Sequence, residues 1–149
     1  MNDENKLRRY LKTFSVILFS AYCIFILWFT IFSRSPLTTR HTVLSLFWSY
    51  RAWLAGEPNG KTEAIQNFNN ILFFIPYGFL FPLKKKGWKT IALYAALFSL
   101  LIEVTQYLFI LGWAEVDDVV CNTLGAIIGY FIWLGLHKGI TAILHKTET

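Results

Sequence analysis

The sequence predicts an all-α integral membrane protein, a four-helix bundle with a short amphipathic outer segment between helices 1 and 2. Three observations predict it. The 149 residues are 55% hydrophobic and 18% aromatic, with a mean hydropathy of +0.46, which leaves too few polar residues to cover a soluble globule of this size. The apolar residues come in runs close to the twenty or so that a crossing helix needs. Basic residues gather in alternate connections between those runs. Four such helices occupy the whole length, so residues 1–149 are expected to form a single membrane domain.

The first helix is expected over about residues 13–33, a stretch without a formal charge and about 30 Å long at 1.5 Å per residue, the thickness of the hydrocarbon layer. It reads as an anchor and not as a cleavable leader, because the run outlasts a signal h-region and Ser33-Arg34-Ser35-Pro36 is no small-x-small cleavage site. Residues 38–55 interleave Leu44, Phe47, Trp48 and Leu54 with Arg40, His41 and Arg51, a pattern too short to cross and suited to the interface, as a lipid anchor or as a lid over an outward-facing site. The second helix, about 64–83, starts polar at Gln66, Asn67, Asn69 and Asn70 and contains Pro76 and Pro82. A kink at Pro76 is expected in place of a break, since neighbouring helices re-satisfy the carbonyl that proline frees. The third and fourth helices are expected over about 90–111 and 118–136.

Ten of the fourteen Lys and Arg (Lys6, Arg8, Arg9, Lys12, Lys84, Lys85, Lys86, Lys89, Lys138 and Lys146) precede helix 1, separate helices 2 and 3, or follow helix 4. The positive-inside rule makes that side cytoplasmic, so a multi-pass cell-membrane protein with both termini in the cytoplasm is expected. The net charge of +5 then reflects topology and attraction to membrane lipid, and no nucleic-acid partner is expected. Cys23 and Cys121 fall inside predicted spans and are expected to be packing residues, neither disulfide nor metal ligands. No metal site and no cofactor is expected, and a homo-oligomer is compatible with the pattern.

Helix formation does not explain Glu103, which interrupts the apolar run 93–110. A charge at the centre of a membrane helix costs about 2.5–3.5 kcal/mol of insertion free energy unless it finds a partner or water, so it marks a site. Lying thirteen residues beyond Thr90, it is about 20 Å up helix 3 and in the outer half of the bilayer. Asn67 and Asn70 on helix 2, and Asp118 and Asn122 on helix 4, reach the same depth. Ser99, Glu103 and Gln106 share a face at i, i+4 and i+7; Asn67 and Asn70 share one at i+3, and Asp118 and Asn122 at i+4. The last stripe continues as Gly125-x-x-x-Gly129, which lets another helix approach closely and turns the polar end toward the bundle. The ligand-binding candidates are therefore Glu103, Gln106, Asn70, Asn67, Asp118 and Asn122. Arg34, Arg40 and Arg51 stand at the rim, where a guanidinium suits a phosphate or carboxylate. Plainer roles stay open beside these: the asparagines as helix caps or ties, Asp117 or Asp118 as a cap on helix 4, and the two glycines as packing alone.

Three ordered motifs carry a resemblance: Asn70-Ile-Leu-Phe-Phe-Ile-Pro76-Tyr-Gly78-Phe-Leu-Phe-Pro82, then Glu103-x-x-Gln106, then Asp117-Asp118-Val-Val-Cys-Asn122-Thr123-Leu-Gly125-Ala-x-x-Gly129. Together with Phe32-Ser-Arg34-Ser-Pro and Leu46-Phe-Trp-Ser-Tyr50, they make the chain from Arg34 onward similar to the VanZ-like family of small bacterial membrane proteins. One departure is visible: many relatives carry an arginine in the loop after the Glu-x-x-Gln helix, and Gly112-Trp113-Ala-Glu115 has none. The resemblance implies an envelope protein associated with lowered sensitivity to teicoplanin. Three classes of function fit. One is binding of a lipid-linked cell-wall precursor or a lipophilic glycopeptide in an outward-facing polar pocket. The second is an enzyme on a lipid or lipid-phosphate substrate, with Glu103 as general base and Glu115, Asp117 and Asp118 around a divalent cation. The third is a structural network that presents the bundle to another membrane protein. A transporter is disfavoured, since no internal repeat is detectable and the acidic groups lie only in the outer half.

Overall fold

The structure, a computed structural model, describes residues 3–82 and 86–147. Leu83, expected to end helix 2, and Lys84 and Lys85 of the basic connection lie outside the described residues. Helix α1 (Asp3–Leu27) passes directly into a π-helical turn, Trp28–Phe32. Hydroxyl groups account for the change of register. The Thr30 side chain donates to the Ile26 carbonyl at 2.8 Å, occupying the acceptor that the Thr30 N–H takes in an α-helix, and the Ser33 N–H reaches back five residues to the Trp28 carbonyl at 3.0 Å.

After this turn come β1 (His41–Val43), α2 (Trp48–Leu54), α3 (Gly60–Leu80), α4 (Trp88–Phe109), β2 (Trp113–Glu115) and α5 (Val116–Thr147). The chain is mostly helical, with five α-helices among the described residues. Three stretches are long and apolar enough to cross a membrane: Asn5–Phe32, Trp88–Phe109 and Val116–Ile143. The helix α3 has comparable length, but Lys61, Glu63, Gln66, Asn67, Asn69 and Asn70 make its first half polar.

The helices outrun the expected spans. Helix α1 begins at Asp3 instead of about residue 13, and α5 continues to Thr147 instead of about 136. Charge ends an apolar run without ending a helix, because Lys, Arg and Glu are good helix formers. Two short strands are an addition to the mostly helical chain that the sequence did not announce. They pair in parallel, His41 opposite Trp113, Thr42 opposite Ala114 and Val43 opposite Glu115, and each is too short to show an alternating pattern in sequence. The outer segment therefore splits into a strand and a helix, α2, which buries Ser49 and Ala52 and leaves Trp53 and Leu54 exposed.

The α3 helix is the hub of the packing and runs unbroken through Pro76. It closes on α5 so tightly that only glycine fits. A Cβ at Gly78 would lie 1.8 Å from the Ala126 carbonyl oxygen, one at Gly125 2.2 Å from that of Ile71, and one at Gly129 1.9 Å from that of Ile75. Close backbone approach drives association where lipid tails are as apolar as the side chains, and the partner that Gly125-x-x-x-Gly129 calls for is α3. Elsewhere Phe74 and Tyr77 meet Phe98 of α4, and Tyr77 and Phe81 meet Phe19 of α1, with ring centroids 5.0–6.3 Å apart. Phe14, Ile24, Leu97, Leu101 and Phe131 face outward, as residues in contact with lipid would. The two cysteines are free, and Cys121 is buried.

One end of the bundle carries the connections. There the Leu37 N–H donates to the Ile110 carbonyl at 2.7 Å, which ties the segment after the π turn to the end of α4. The Phe47 N–H donates to Asp117 Oδ1 at 2.6 Å and Trp48 Nε1–H to Glu115 Oε2 at 2.8 Å, which fastens the outer segment over the start of α5.

Candidate ligand-binding chamber

Glu103, only 4% exposed, lies on α4 between Ser99 and Gln106, both also buried. Each member of this stripe addresses a different element. Glu103 Oε2 accepts the Glu115 N–H of β2 at 2.9 Å, Ser99 Oγ accepts Asn122 Nδ2 of α5 at 2.8 Å, and Gln106 Nε2 donates to the Thr30 carbonyl at 3.0 Å. The Thr30 carbonyl lies in the last turn before the helix ends, where carbonyls lack an intrahelical partner.

Around Glu103 the helices leave a chamber of about 200 Å³. Its polar wall includes Asn70 of α3, Glu103 and Gln106 of α4, Asp118 and Asn122 of α5, and Arg34 just beyond the π turn, while Ile26, Phe73 and Phe74 form an apolar side. Arg34 is the cation whose field acts on both Glu103 and Asp118. In this wall Asn122 Oδ1 is buried without a hydrogen-bond partner, and the Asn70 amide stands beside the Asp118 carboxyl as its donor, at a separation looser than a normal hydrogen bond. Burying a polar group unpaired costs about 1–3 kcal/mol, so a polar molecule that reaches Asn122 Oδ1 gains by pairing with it.

The structure brings six of the nine candidates to this chamber and places three elsewhere. Asn67 donates to Ser49 Oγ at 2.9 Å and ties α3 to α2. Arg40 reaches the Leu108 carbonyl at 3.4 Å and lies 5.6 Å from the centre of the Tyr107 ring. Arg51 bonds the Ser45 hydroxyl. Both arginines are exposed and pinned outside the chamber by those contacts. Glu115, Asp117 and Asp118 do not converge as cation ligands. Glu115 turns to Trp48, Asp117 to the Phe47 N–H, and among the described residues no group of three or more His, Cys, Asp and Glu is placed to hold a metal ion. Gln66, Asn69 and Thr30 join the chamber wall without having been candidates. The first two belong to the polar start of helix 2 and were within reach of the depth argument. Thr30 acts through a main-chain carbonyl, which no residue type announces.

Glu115 sits outside the long apolar helices. Burial pushes its carboxyl above the usual range, opposed by the Trp48 Nε1–H bond, which favours the ionised form. Gly112 completes the approach to the chamber: a Cβ there would fall 2.6 Å from Arg34 Nη1, so the loop that lacks its own arginine receives this guanidinium across its glycine.

A comparison with known families places these residues. The VanZ/LLP1 family model matches residues 19–138, which is most of the chain and includes every chamber residue. The chain belongs to the VanZ-like family. Protein VanZ of Enterococcus faecium is 26% identical to it over 121 residues, covering 79% of this chain and 72% of that protein. No solved structure matches. The VanZ-like interval leaves out the first part of α1 and the last part of α5, the two basic extensions that run past the packed bundle.

Proposed function

We propose that the protein is a multi-pass envelope membrane protein that lowers sensitivity to teicoplanin or a related lipophilic glycopeptide. In this reading it does so by binding a lipid-linked precursor or another lipophilic ligand in the chamber around Glu103. The observation that carries the proposal is the convergence of Asn70, Glu103, Asp118 and Asn122 on one cavity, with Arg34 beside them and Asn122 Oδ1 left without a partner. Donors and acceptors are both present, so a ligand with hydrogen-bonding groups of each kind restores what burial removed.

The proposed topology has α1, α3, α4 and α5 embedded and both termini cytoplasmic. Support for counting α3 comes from its neighbours: the π turn that continues α1 meets the end of α4 through Thr30 and Gln106, so the chain between them has to return through the same thickness. At 21 residues α3 is about 32 Å long, and its polar half sets Gln66, Asn69 and Asn70 along the chamber, with Gln66 and Asn69 largely exposed.

The test is a comparison of wild type with Glu103→Gln and Arg34→Gln in a glycopeptide-sensitive host, alongside ligand binding to the purified proteins. Glutamine keeps an acceptor for the Glu115 N–H, whereas Glu103→Ala leaves that donor orphaned at about 1–3 kcal/mol and confounds folding with function. Both glutamine variants are expected to reach wild-type levels in the membrane and to lose protection and binding. Full protection and full binding in both would sink the proposal.

A second reading draws on Glu103 and Asp118 facing one cavity beside Arg34, an arrangement that suits acid–base chemistry on a lipid phosphate. Release of a product from candidate lipids by the wild type, absent in Glu103→Gln, would favour it.

A further inference from the structure

Arg34 stands at a junction. On its lipid side, the π turn and the outer half of α4 flank a groove of about 620 Å³ lined by Leu27, Ile31, Phe32, Leu101 and Phe109, with Arg34 as its charged member. The groove is open to the surroundings, since Phe32 and Phe109 are 76% and 65% exposed. On its inner side the same residue lines the chamber with Glu103, Asp118, Asn70 and Asn122. Passing from bilayer to bundle, the wall changes from hydrocarbon-like to a single guanidinium, and then to two carboxyl groups with an unpartnered amide oxygen.

This sequence of surfaces selects a ligand. Resting on the reading that the chamber binds a lipophilic molecule, we propose that it takes a glycerophospholipid with a primary-ammonium headgroup, of the phosphatidylethanolamine class. One acyl chain lies in the groove between the π turn and α4, the phosphate pairs with Arg34, and the ammonium enters the chamber. An ammonium carries three donors and no acceptor, which matches the acceptor Asn122 Oδ1 and the carboxyl of Asp118, beside which the Asn70 amide stands. Guanidinium geometry suits the phosphate. The chamber, about 200 Å³, has room for an ethanolamine head. A choline head has the same charge and no N–H donor, and a glycerol head lacks the cation that the carboxylates attract.

Native mass spectrometry of the full-length protein in detergent tests this, with dioleoyl phosphatidylethanolamine, phosphatidylcholine and phosphatidylglycerol added separately. Wild type is expected to hold phosphatidylethanolamine about tenfold more tightly than either other lipid. Arg34→Gln and Asp118→Asn are expected to erase that preference. Leu101→Trp, an exposed position where the larger side chain fills the groove, is expected to weaken phosphatidylethanolamine binding about tenfold while the melting temperature stays at the wild-type value. Equal binding of phosphatidylcholine, or tighter binding of phosphatidylglycerol, overturns the headgroup assignment. Unchanged binding by Leu101→Trp overturns the placement of the tail. If lipids bind without preference while Glu103→Gln still loses glycopeptide protection, this inference fails alone. If Glu103→Gln and Arg34→Gln keep that protection as well, the reading beneath it fails too.

Discussion

Gly112 shows how a residue without a side chain governs one with a charge. The Arg34 guanidinium occupies the space that a Cβ at position 112 would need, and it is the mobile end of a flexible side chain, so Gly112→Ala moves the arginine and spares the backbone. The alanine variant is expected to melt within about 0.5 kcal/mol of wild type and yet to match Arg34→Gln in ligand binding. A melting curve and a binding curve on one preparation check both halves. Glu115 offers a second test. Its carboxyl titrates above the ordinary range when folded, so its neutral form is the one the fold favours. A raised folded pKa means stability that is whole below the unfolded value near 4.5 and lost as pH climbs through the folded value. Thermal unfolding in detergent is therefore expected to weaken upward from about pH 4.5 in wild type, and less steeply in Glu115→Gln, which keeps an acceptor for Trp48. At this scale the sequence was most legible where an ionisable group had no reason to be. Glu103 and its stripe mates Ser99 and Gln106 stood out by spacing. Their partners did not, because the Glu115 N–H and the Thr30 carbonyl are main-chain groups that every residue carries.

Among the elements, the contact between α3 and α5 determines whether the chamber exists, since Asn70 and Asp118 reach it from those two helices. Gly78, Gly125 and Gly129 let the backbones touch at distances that no Cβ tolerates, and the atoms in the way are carbonyl oxygens of the opposing helix, which cannot step aside. Gly125→Ala and Gly129→Ala are each expected to cost about 3 kcal/mol or more, because the helices have to part along their length. Gly135→Ala and Gly139→Ala on the same helix meet nothing within 4 Å and are expected to stabilise by about 0.5–1 kcal/mol through helix propensity. Chemical or thermal unfolding of the four variants side by side measures the contrast, and similar effects at all four positions would refute the assignment of α3 as the partner. Sequence periodicity foretold that Gly125 and Gly129 face a helix but not which one, since spacing within a helix holds no record of its neighbour. The β1 and β2 pairing was illegible for a related reason: its register joins His41 to Trp113 across nearly half the chain, and three residues are too few to show alternation.

For the molecule as a whole, hydropathy alone gives an ambiguous topology, because three apolar spans would leave the termini on opposite sides and four would leave them together. The parallel arrangement of α1 and α4 is what the proposed count of four rests on. The π turn after α1 bonds α4 through Thr30 and Gln106, the segment beyond it bonds the end of α4 through Leu37 and Ile110, and the two strands that follow pair in parallel. The distribution of basic residues agrees, since the outer segment and its connections hold only Arg34, Arg40, Arg51 and Lys61 of the fourteen. Each of those arginines has a task at its own location: Arg34 in the chamber, Arg40 on Tyr107, Arg51 on Ser45. Exposed positions at the two ends give the measurement. With Cys23 and Cys121 replaced by serine, a cysteine at Leu54, 88% exposed on the outer segment, is expected to react with a membrane-impermeant maleimide in intact cells. One at Thr141, on the extension of α5, is expected to react only after the membrane is opened. Labelling of both in intact cells would mean that α3 does not cross. The chamber would then lose its place at the outer surface, and a ligand arriving from the outer leaflet would have no route to Glu103.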